Sequence, residues 1–559
     1  MKMLRATGLA FLMLLGLGTG LWAPRPAFAA EDSGSVPRGR LVSAEWLKGQ
    51  LGRPDLLLLD ASMTPAHKAA HIPGAVGADL YRYGPGEATA AQWQQRLQSW
   101  GLSPGQRIVV YDEGGSMMGP WLFFELLHAG VAVENLYLLD GGLHRWRSVA
   151  GAVTQEATPP PARGSITVGA LQESVRVRLP EVFAASGASG PGAGTALIEA
   201  LEPAWHFGGA AFFDRGGHIP NAVMAPSGDF YNADKTFKSA DEIRRMMGYL
   251  GIGPAQQVLT YCGGGVAATV PFFALKYIAD YPRVRVYKES QREWLADERG
   301  LPLWTYSAPF QWRESRWLAG WGSRMLRMYS VVNISIVDVR PPEAFRQGHL
   351  PFAVNVPAAV FRQHARSPAR LAQALAQAGV KAGDEAVVFS DAGLTPEAAL
   401  AYLLLESVGQ NKVSVFADSL ERWAELGYEV ARPAPPATAT GPATAAPAAP
   451  APYAAKPRGD AFVLDAAPAR GAYPKVYVAA GRATPASMPD GKVVRVPFSD
   501  LVTASGAPKP AKDLWAAISK AGVPRYAEVV LFADDPAEAA ANYFLFRLMG
   551  FPDVKVWWR

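Results

Sequence analysis

The chain holds 559 residues, 49% of them hydrophobic and 18% charged, with a net charge of +5. At roughly 100 to 200 residues per domain, that length predicts several separate cores, and the composition is that of a globular protein. Lysine and arginine are scattered among aspartate and glutamate with no dense basic stripe, which excludes nucleic acid as an expected partner.

In chain order, residues 1–30 come first: MKMLRATGLAFLMLLGLGTGLWAPRPAFAA. They run from Lys2 and Arg5 through an apolar stretch to the small-residue pattern Ala27-Phe28-Ala29. This predicts a signal peptide cut after Ala29 and a periplasmic or secreted mature chain without a stable membrane span. An anchor retained uncut is the competing reading.

From residue 38 onward, three landmarks recur in the same order. The first is an apolar strand followed by a His-Ile/Leu-Pro turn: LLLLDASMTPAHKAAHIPGAV from Leu56, HIPNAV from His218 and IVDVRPPEAFRQGHLPFAV from Ile336. The second is an apolar strand, a tight turn and a helical stretch, opening RIVVYDEGGS at Arg107, QVLTYCGGG at Gln257, EAVVFSDAG at Glu385 and EVVLFADD at Glu528. The third is a short strand closed by tryptophan, at Trp146, Trp294, Trp423 and in the terminal VKVWW. Aligning the turns on Asp112, Cys262, Asp391 and Asp534 spaces them at domain-sized intervals, longer than solenoid repeats. Strands alternating with helical periodicity predict an α/β class in which each copy is a parallel sheet flanked by helices.

The predicted organisation is domain 1 over 38–155, domain 2 over 170–303, a Trp-rich connector over 304–330, domain 3 over 331–430, a Pro/Ala-rich linker over 431–459, and a degenerate domain 4 over 460–559. The linker cannot build a core and is expected to be an extended tether. The tryptophans of the connector are expected to pack between domains.

Cys262 is the only cysteine. A lone thiol in an exported chain makes no internal disulfide, so it is either a small buried hydrophobe or a reactive group. Its place after a strand and before a helix lies at the carboxyl edge of a parallel sheet, where ligands bind. Gly263, Gly264 and Gly265 let successive backbone N–H groups converge, and Val266, Ala267, Ala268 and Thr269 lead into the helix. Such a cradle favours a thiolate and holds an anion.

These landmarks resemble the rhodanese (sulfurtransferase) family: an aspartate-bearing strand, His-Ile-Pro-Gly-Ala, a strand-to-cysteine-loop turn, and a closing Asp-Gly-Gly-Leu…Trp. The resemblance is close for copies one and two, good for three and weak for four, which lacks the His-Ile-Pro landmark. It implies tandem rhodanese-like domains in which only copy two carries the nucleophile, with Asp112 standing at the cysteine position of copy one. It further implies a sulfurtransferase of the thiosulfate or 3-mercaptopyruvate type, moving sulfane sulfur to cyanide or a thiol through a Cys262 persulfide. No metal or organic cofactor is implied, and the donor pocket is expected between copies one and two.

The loop is neutral where thiosulfate-using relatives carry basic residues, and it looks closer to mercaptopyruvate-type enzymes. Leu201 and Trp205 stand where relatives place arginines. Arg215 and Lys288, and after them Arg244 and Arg245, are the candidate anion contacts. His71, His218 and His349 are read as turn residues, since copies without cysteine keep them. Asp112 and Asp391 are read as anions accepting amides at a helix start. With eight histidines and one cysteine the chain shows no ligand spacing for a metal. A phosphatase of related fold needs an arginine after its cysteine loop, where this chain has Ala268 and Thr269. The alternative function is a rhodanese-fold scaffold, or a carrier of persulfide sulfur to a partner protein.

Overall fold

The computed structural model describes residues 39–84, 87–187, 193–328, 332–432, 452–453, 457–458 and 473–558. The predicted signal segment and most of the predicted linker fall outside that set. Among the described residues, no helix is long and apolar enough to cross a membrane.

Among the described residues, four parallel sheets follow one another along the chain. The first orders its strands Leu41–Val42, Leu136–Leu139, Arg107–Tyr111, Leu56–Asp60, Val76–Gly77. The second runs Val284–Val286, Gln257–Tyr261, Thr195–Glu199, Val223–Met224, with Arg176 bridging to Val286 where the first sheet has its edge strand. The third repeats the five-stranded order: Trp312–Arg313, Lys412–Phe416, Glu385–Phe389, Ile334–Asp338, Ala353–Asn355. The fourth has the four-stranded order of the second: Val554–Val556, Glu528–Phe532, Lys475–Ala479, Val493–Arg495. Parallel strands need helical crossovers and are buried on both faces, which explains why they read as continuous Val, Ile and Leu.

The Trp-rich segment 304–330 is more than a connector. Trp312 pairs with Val415 as the edge of the third sheet. The Ser315 N–H and hydroxyl both donate to Asp418, at 2.8 and 2.6 Å, at the start of helix Ser315–Trp321. The third unit therefore begins at Trp312 and not at 331. Pairing with a strand a hundred residues later leaves no local signal. Within the predicted linker, Tyr453 donates to Gln410 and the Arg458 N–H to the Ser407 carbonyl, so these described residues lie against unit three.

Packing joins the units two by two. In the first two sheets Leu57, Leu59, Ile108, Val110, Ile198 and Val258 face one shared core, while Leu58, Val109, Leu197 and Leu259 face the opposite sides, the alternation a strand imposes. Units three and four share a core in the same way. At the centre of the first pair, helix Met118–His128 meets helix Thr269–Phe273, with Phe124 edge-on to Phe272 at 5.4 Å and Phe123 edge-on to Phe273 at 4.9 Å. In the second pair, helix Pro396–Ser407 meets helix Pro536–Leu548, with Tyr402 edge-on to Phe544 at 5.1 Å. These four helices are apolar on most sides because nearly all their residues are buried.

Units two and four then meet. Phe207 stacks on Trp515 at 5.3 Å, the Tyr526 hydroxyl donates to Asp229 at 2.9 Å, and the Ser307 hydroxyl donates to the Met549 carbonyl at 3.1 Å. The chain is a pair of pairs.

Phe544 is fully buried between units three and four. Phe544→Ala is expected to cost about 3–5 kcal/mol, seen as a lowered urea midpoint, while leaving the separate core behind the second sheet intact.

Candidate active site

The strand Gln257–Tyr261 lies in register with Thr195–Glu199, so that Glu199 sits opposite Tyr261 at the carboxyl end. Cys262 is the next residue, and its backbone is held on both sides. Its N–H donates to Ser290 Oγ at 3.0 Å, and its carbonyl accepts the Gln291 N–H at 3.1 Å. The Gly263 carbonyl accepts the Arg292 N–H at 3.1 Å. The side chain is 3% exposed and belongs to the core shared with unit one. The Gly265 N–H donates to Cys262 Sγ at 3.1 Å, the contact expected of an amide cradle.

The three glycines do different work. Gly265 has φ +90°, and a Cβ there would lie 2.0 Å from the Lys288 carbonyl oxygen, so only glycine fits. A Cβ on Gly263 would meet the Phe212 ring at 2.8 Å. A Cβ on Gly264 would have nothing within 4 Å. Behind the loop, the Thr260 hydroxyl donates to the Ala268 carbonyl at 2.9 Å and the Thr269 hydroxyl to the Val266 carbonyl at 2.6 Å. Ala267 and Ala268 are buried under the turn as helix Thr269–Phe273 begins.

Unit one repeats the frame without the thiol. The Leu143 N–H donates to the Asp112 carbonyl at 2.7 Å and the His144 N–H to Glu113 at 3.0 Å. The Asp112 carboxylate accepts N–H groups from Gly114 at 2.7 Å and Gly119 at 2.8 Å. Burial pushes this carboxyl up to about 6, with the two N–H donors pulling the other way.

The register corrects the alignment of the later turns. Asp60 pairs with Tyr111, Glu199 with Tyr261, Asp338 with Phe389 and Ala479 with Phe532. The residue that follows, the structural counterpart of Cys262, is therefore Asp112, Ser390 and Ala533 in the other units. Ala533 faces the core shared by units three and four as Cys262 faces its own. Asp391 and Asp534 stand one residue further on. Asp391 adopts φ +70° and accepts the Leu420 N–H and an Arg340 N–H, a left-handed conformation that aspartate tolerates. Asp534 is exposed and accepts the Ala486 N–H. Matching aspartate to aspartate slips the count by one.

Side chains from both units surround the loop. Unit one supplies Tyr81, whose ring lies 5.0 Å from Trp121 and whose hydroxyl is pushed up by burial, by Cys262 and by Asp79. It also supplies buried Glu125, which holds Lys288 Nζ at 2.7 Å. Lys288 therefore borders the loop through its backbone while its ammonium is committed across the interface. Arg215 is exposed and donates to the Leu301 carbonyl at 3.1 Å. Arg244 donates to the Ala279 carbonyl and pairs with Asp280. The structure does not bring these cations together at the thiol. Leu201 is buried, and Trp205 stacks on Phe212 at 5.3 Å, so the wall beside Gly263 is aromatic.

The three turn histidines share one setting. The Nδ1 atoms of His71, His218 and His349 donate to the carbonyls of His67, His206 and Phe345 at 2.8, 2.8 and 3.0 Å. Their backbone N–H groups donate to Thr154, Trp304 and Ala431. Each fixes a turn. Among the described residues no group of three or more His, Cys, Asp or Glu is assembled that could hold a metal ion.

Four contributors escaped sequence reasoning. Ser290, at φ +54°, replaces Gly142, at φ +51°, and adds the hydroxyl that accepts the Cys262 N–H. The substitution is visible once the closing motifs are aligned. Phe212, Tyr81 and Glu125 carry no such signal, because they come from a loop insertion and from the other unit.

Three stretches, residues 43–149, 192–297 and 319–426, match the family model of the rhodanese-like domain. The chain belongs to the rhodanese-like sulfurtransferase family. Its relatives include a "Probable 3-mercaptopyruvate sulfurtransferase" of Pseudomonas aeruginosa, 31% identical over 281 residues, or 46% of this chain and 96% of that one. The "Sulfur carrier protein TtuD" of Thermus thermophilus is 28% identical over 47% of this chain and 95% of its own. A "Thiosulfate sulfurtransferase" of Corynebacterium glutamicum is 26% identical over 49% of this chain and 92% of its own. Rhodanese-like units thus recur along a chain about twice as long as the stretch these relatives match.

Two outcomes test the site's geometry. Gly265→Ala is expected to slow sulfur loading of Cys262 severely and to cost about 1–3 kcal/mol in backbone strain, whereas Gly264→Ala leaves both nearly unchanged, measured by loading kinetics and urea midpoints. For Asp112, a folded value near 6 lies above the unfolded carboxylate value of about 4. Its contribution is present at low pH and lost as pH rises through about 6. The stability of Asp112→Asn relative to wild type is therefore expected to improve between pH 4 and pH 7, measured as urea midpoints across that range.

Proposed function

We propose that this chain moves sulfane sulfur through a persulfide on Cys262, taking it from thiosulfate or a related donor and giving it to cyanide or a thiol. The observation that carries this reading is the Gly265 N–H directed at Cys262 Sγ at the mouth of a glycine turn. The Cys262 thiolate attacks the outer sulfur of thiosulfate, the S–S bond breaks, and sulfite leaves with the electron pair. The Gly265 N–H and the neighbouring amides up to Ala268 then hold the anionic persulfide, the Thr269 N–H being committed to the Val266 carbonyl. Cyanide takes the outer sulfur as thiocyanate and returns the thiolate.

The aromatic wall of Trp205 and Phe212, with Lys288 already paired to Glu125, favours an organic donor of the mercaptopyruvate type over a dianion. The name of the Pseudomonas aeruginosa relative supports the same choice. The second reading is a persulfide carrier that hands sulfur to a partner protein. It is favoured by the exposed Tyr81 and Phe212, at 48% and 52%, beside a buried thiol. The fourth sheet, which shares the strand order of the second, is read as a degenerate rhodanese-like unit. The basic and apolar pattern of residues 1–30 supports export to the periplasm.

Intact-mass spectrometry of the full chain tests the cycle. Thiosulfate or mercaptopyruvate is expected to add about 32 Da, cyanide to remove it as thiocyanate, and Cys262→Ser to abolish the gain. Loading without turnover on small acceptors supports the carrier reading. No gain with either donor would overturn both readings.

A further inference from the structure

Lys288 stands at the junction of the cysteine loop and unit one. Its carbonyl oxygen and Cα would lie 2.0 and 3.1 Å from a Cβ on Gly265, the residue whose N–H donates to Cys262 Sγ at 3.1 Å. Its backbone is thus packed against the amide cradle, and a four-carbon stem gives its ammonium a wide reach. That ammonium is turned across the interface. It meets both oxygens of Glu125, at 2.7 and 2.9 Å, and the Glu125 side chain is 3% exposed. A second route joins Glu125 to the surroundings of the thiol. It accepts the Trp121 indole N–H at 3.2 Å, Trp121 lies 5.0 Å from the Tyr81 ring, and the Tyr81 hydroxyl is close enough to Cys262 to feel its charge. The ion pair closes beside the unit-one wall of the pocket.

Neither partner has a ready replacement. Two other carboxylates lie near Lys288, Glu87 and Glu289, and both pair with the buried Arg176. Near Glu125, His128 Nδ1 stands 3.9 Å away while its Nε2 faces Glu173, and the Arg96 guanidinium lies over the Tyr83 and Trp93 rings at 4.1 and 5.0 Å. Neutralising one end of the pair therefore leaves the other as a bare charge, in a place where salt and water screen it less than at the surface.

We propose that Glu125 is a positioning residue for donor choice: it holds the Lys288 ammonium on unit one, so that a dianionic donor such as thiosulfate meets a neutralised pair beside the loop, while a singly charged 2-oxo-3-thiol acid loses less. The assignment rests on the persulfide reading of Cys262 and names what sets its selectivity. Removing the two ends one at a time moves selectivity in opposite directions, since one variant leaves a cation beside the donor and the other an anion. A strut that only held the units together would shift both variants the same way.

The test follows sulfur loading of Cys262 in the full chain by intact mass over a range of thiosulfate and 3-mercaptopyruvate concentrations. Glu125→Gln is expected to raise the thiosulfate-to-mercaptopyruvate ratio of loading efficiencies about tenfold, the factor one charge-assisted hydrogen bond supplies. The gain is expected in a lower half-saturating thiosulfate concentration and to shrink as salt is raised. Lys288→Met is expected to lower the same ratio by a similar factor. Each ratio compares two donors on one protein sample, so a smaller folded fraction in either variant cancels. A wild-type chain that loads with neither donor would overturn the persulfide reading and this one with it. A wild-type chain that loads, with a ratio that stays fixed or moves the same way in both variants, would overturn this one alone.

Discussion

Everything chemical in this protein hangs on where one parallel strand pair ends. In unit two, Glu199 and Tyr261 close the pair, and the chain must turn at the next residue, which is Cys262. The Tyr261 hydroxyl accepts the Ile219 N–H at 2.9 Å, tying the His-Ile-Pro turn to the strand end. The Tyr111 hydroxyl does the same for Ile72 at 3.0 Å in unit one. Units three and four have Phe389 and Phe532 at this place and lose the hydroxyl. Unit three compensates with Arg340, which clamps Asp338 at 2.7 Å, while unit four has Ala479 in place of any acid. The polar fastening thins out from the second unit to the fourth, where Ser390 and Ala533 stand in the place of Cys262.

The buried acid–histidine pair behind the turn is built to be electrostatically quiet. Burial pushes the Glu199 carboxyl up to about 7 and pulls His206 down to about 3. Between those limits the pair holds one proton, whichever partner carries it. An unfolded glutamate and histidine also hold one proton between them from about pH 4.3 to 6.5. The pair therefore leaves stability nearly independent of pH across that window. Asp112 has no such partner, and its burial shows as a pH-dependent cost.

The pairing of units decides which turn stays accessible. In the first pair, space remains beside Gly264 next to Cys262. In the second, the turn of unit three is filled by backbone from unit four: the Gly506 carbonyl accepts the Leu394 N–H at 3.0 Å, and a Cβ on Gly506 would fall 2.2 Å from the Ala392 carbonyl. A donor has no room there. The second pair keeps the helix-to-helix contact of the first, through Tyr402 and Phe544, and serves as a buttress whose outer face closes a cavity against unit two.

The repeat was legible because strand ends, turns and closing tryptophans are local, and each leaves its mark within a few residues. The register was less so. An aspartate in each of three turns suggested an alignment that the strand pairing moves by one, since side-chain type does not count residues and a ladder of hydrogen bonds does. The edge strand at Trp312 hid in a tryptophan-rich stretch because its partner lies near residue 415. The groups around Cys262 divide along the same line. Gly265 and its neighbours announced a backbone that must come close to something, and the Lys288 carbonyl is that something. Tyr81, Glu125 and Phe212 act on the site only because units one and two pack face to face, and a sequence records the faces of each unit separately from the fact of their meeting. Function at such an interface depends on pairs of residues with no common pattern, so the thiol could be read from the chain while the selectivity of its pocket could not.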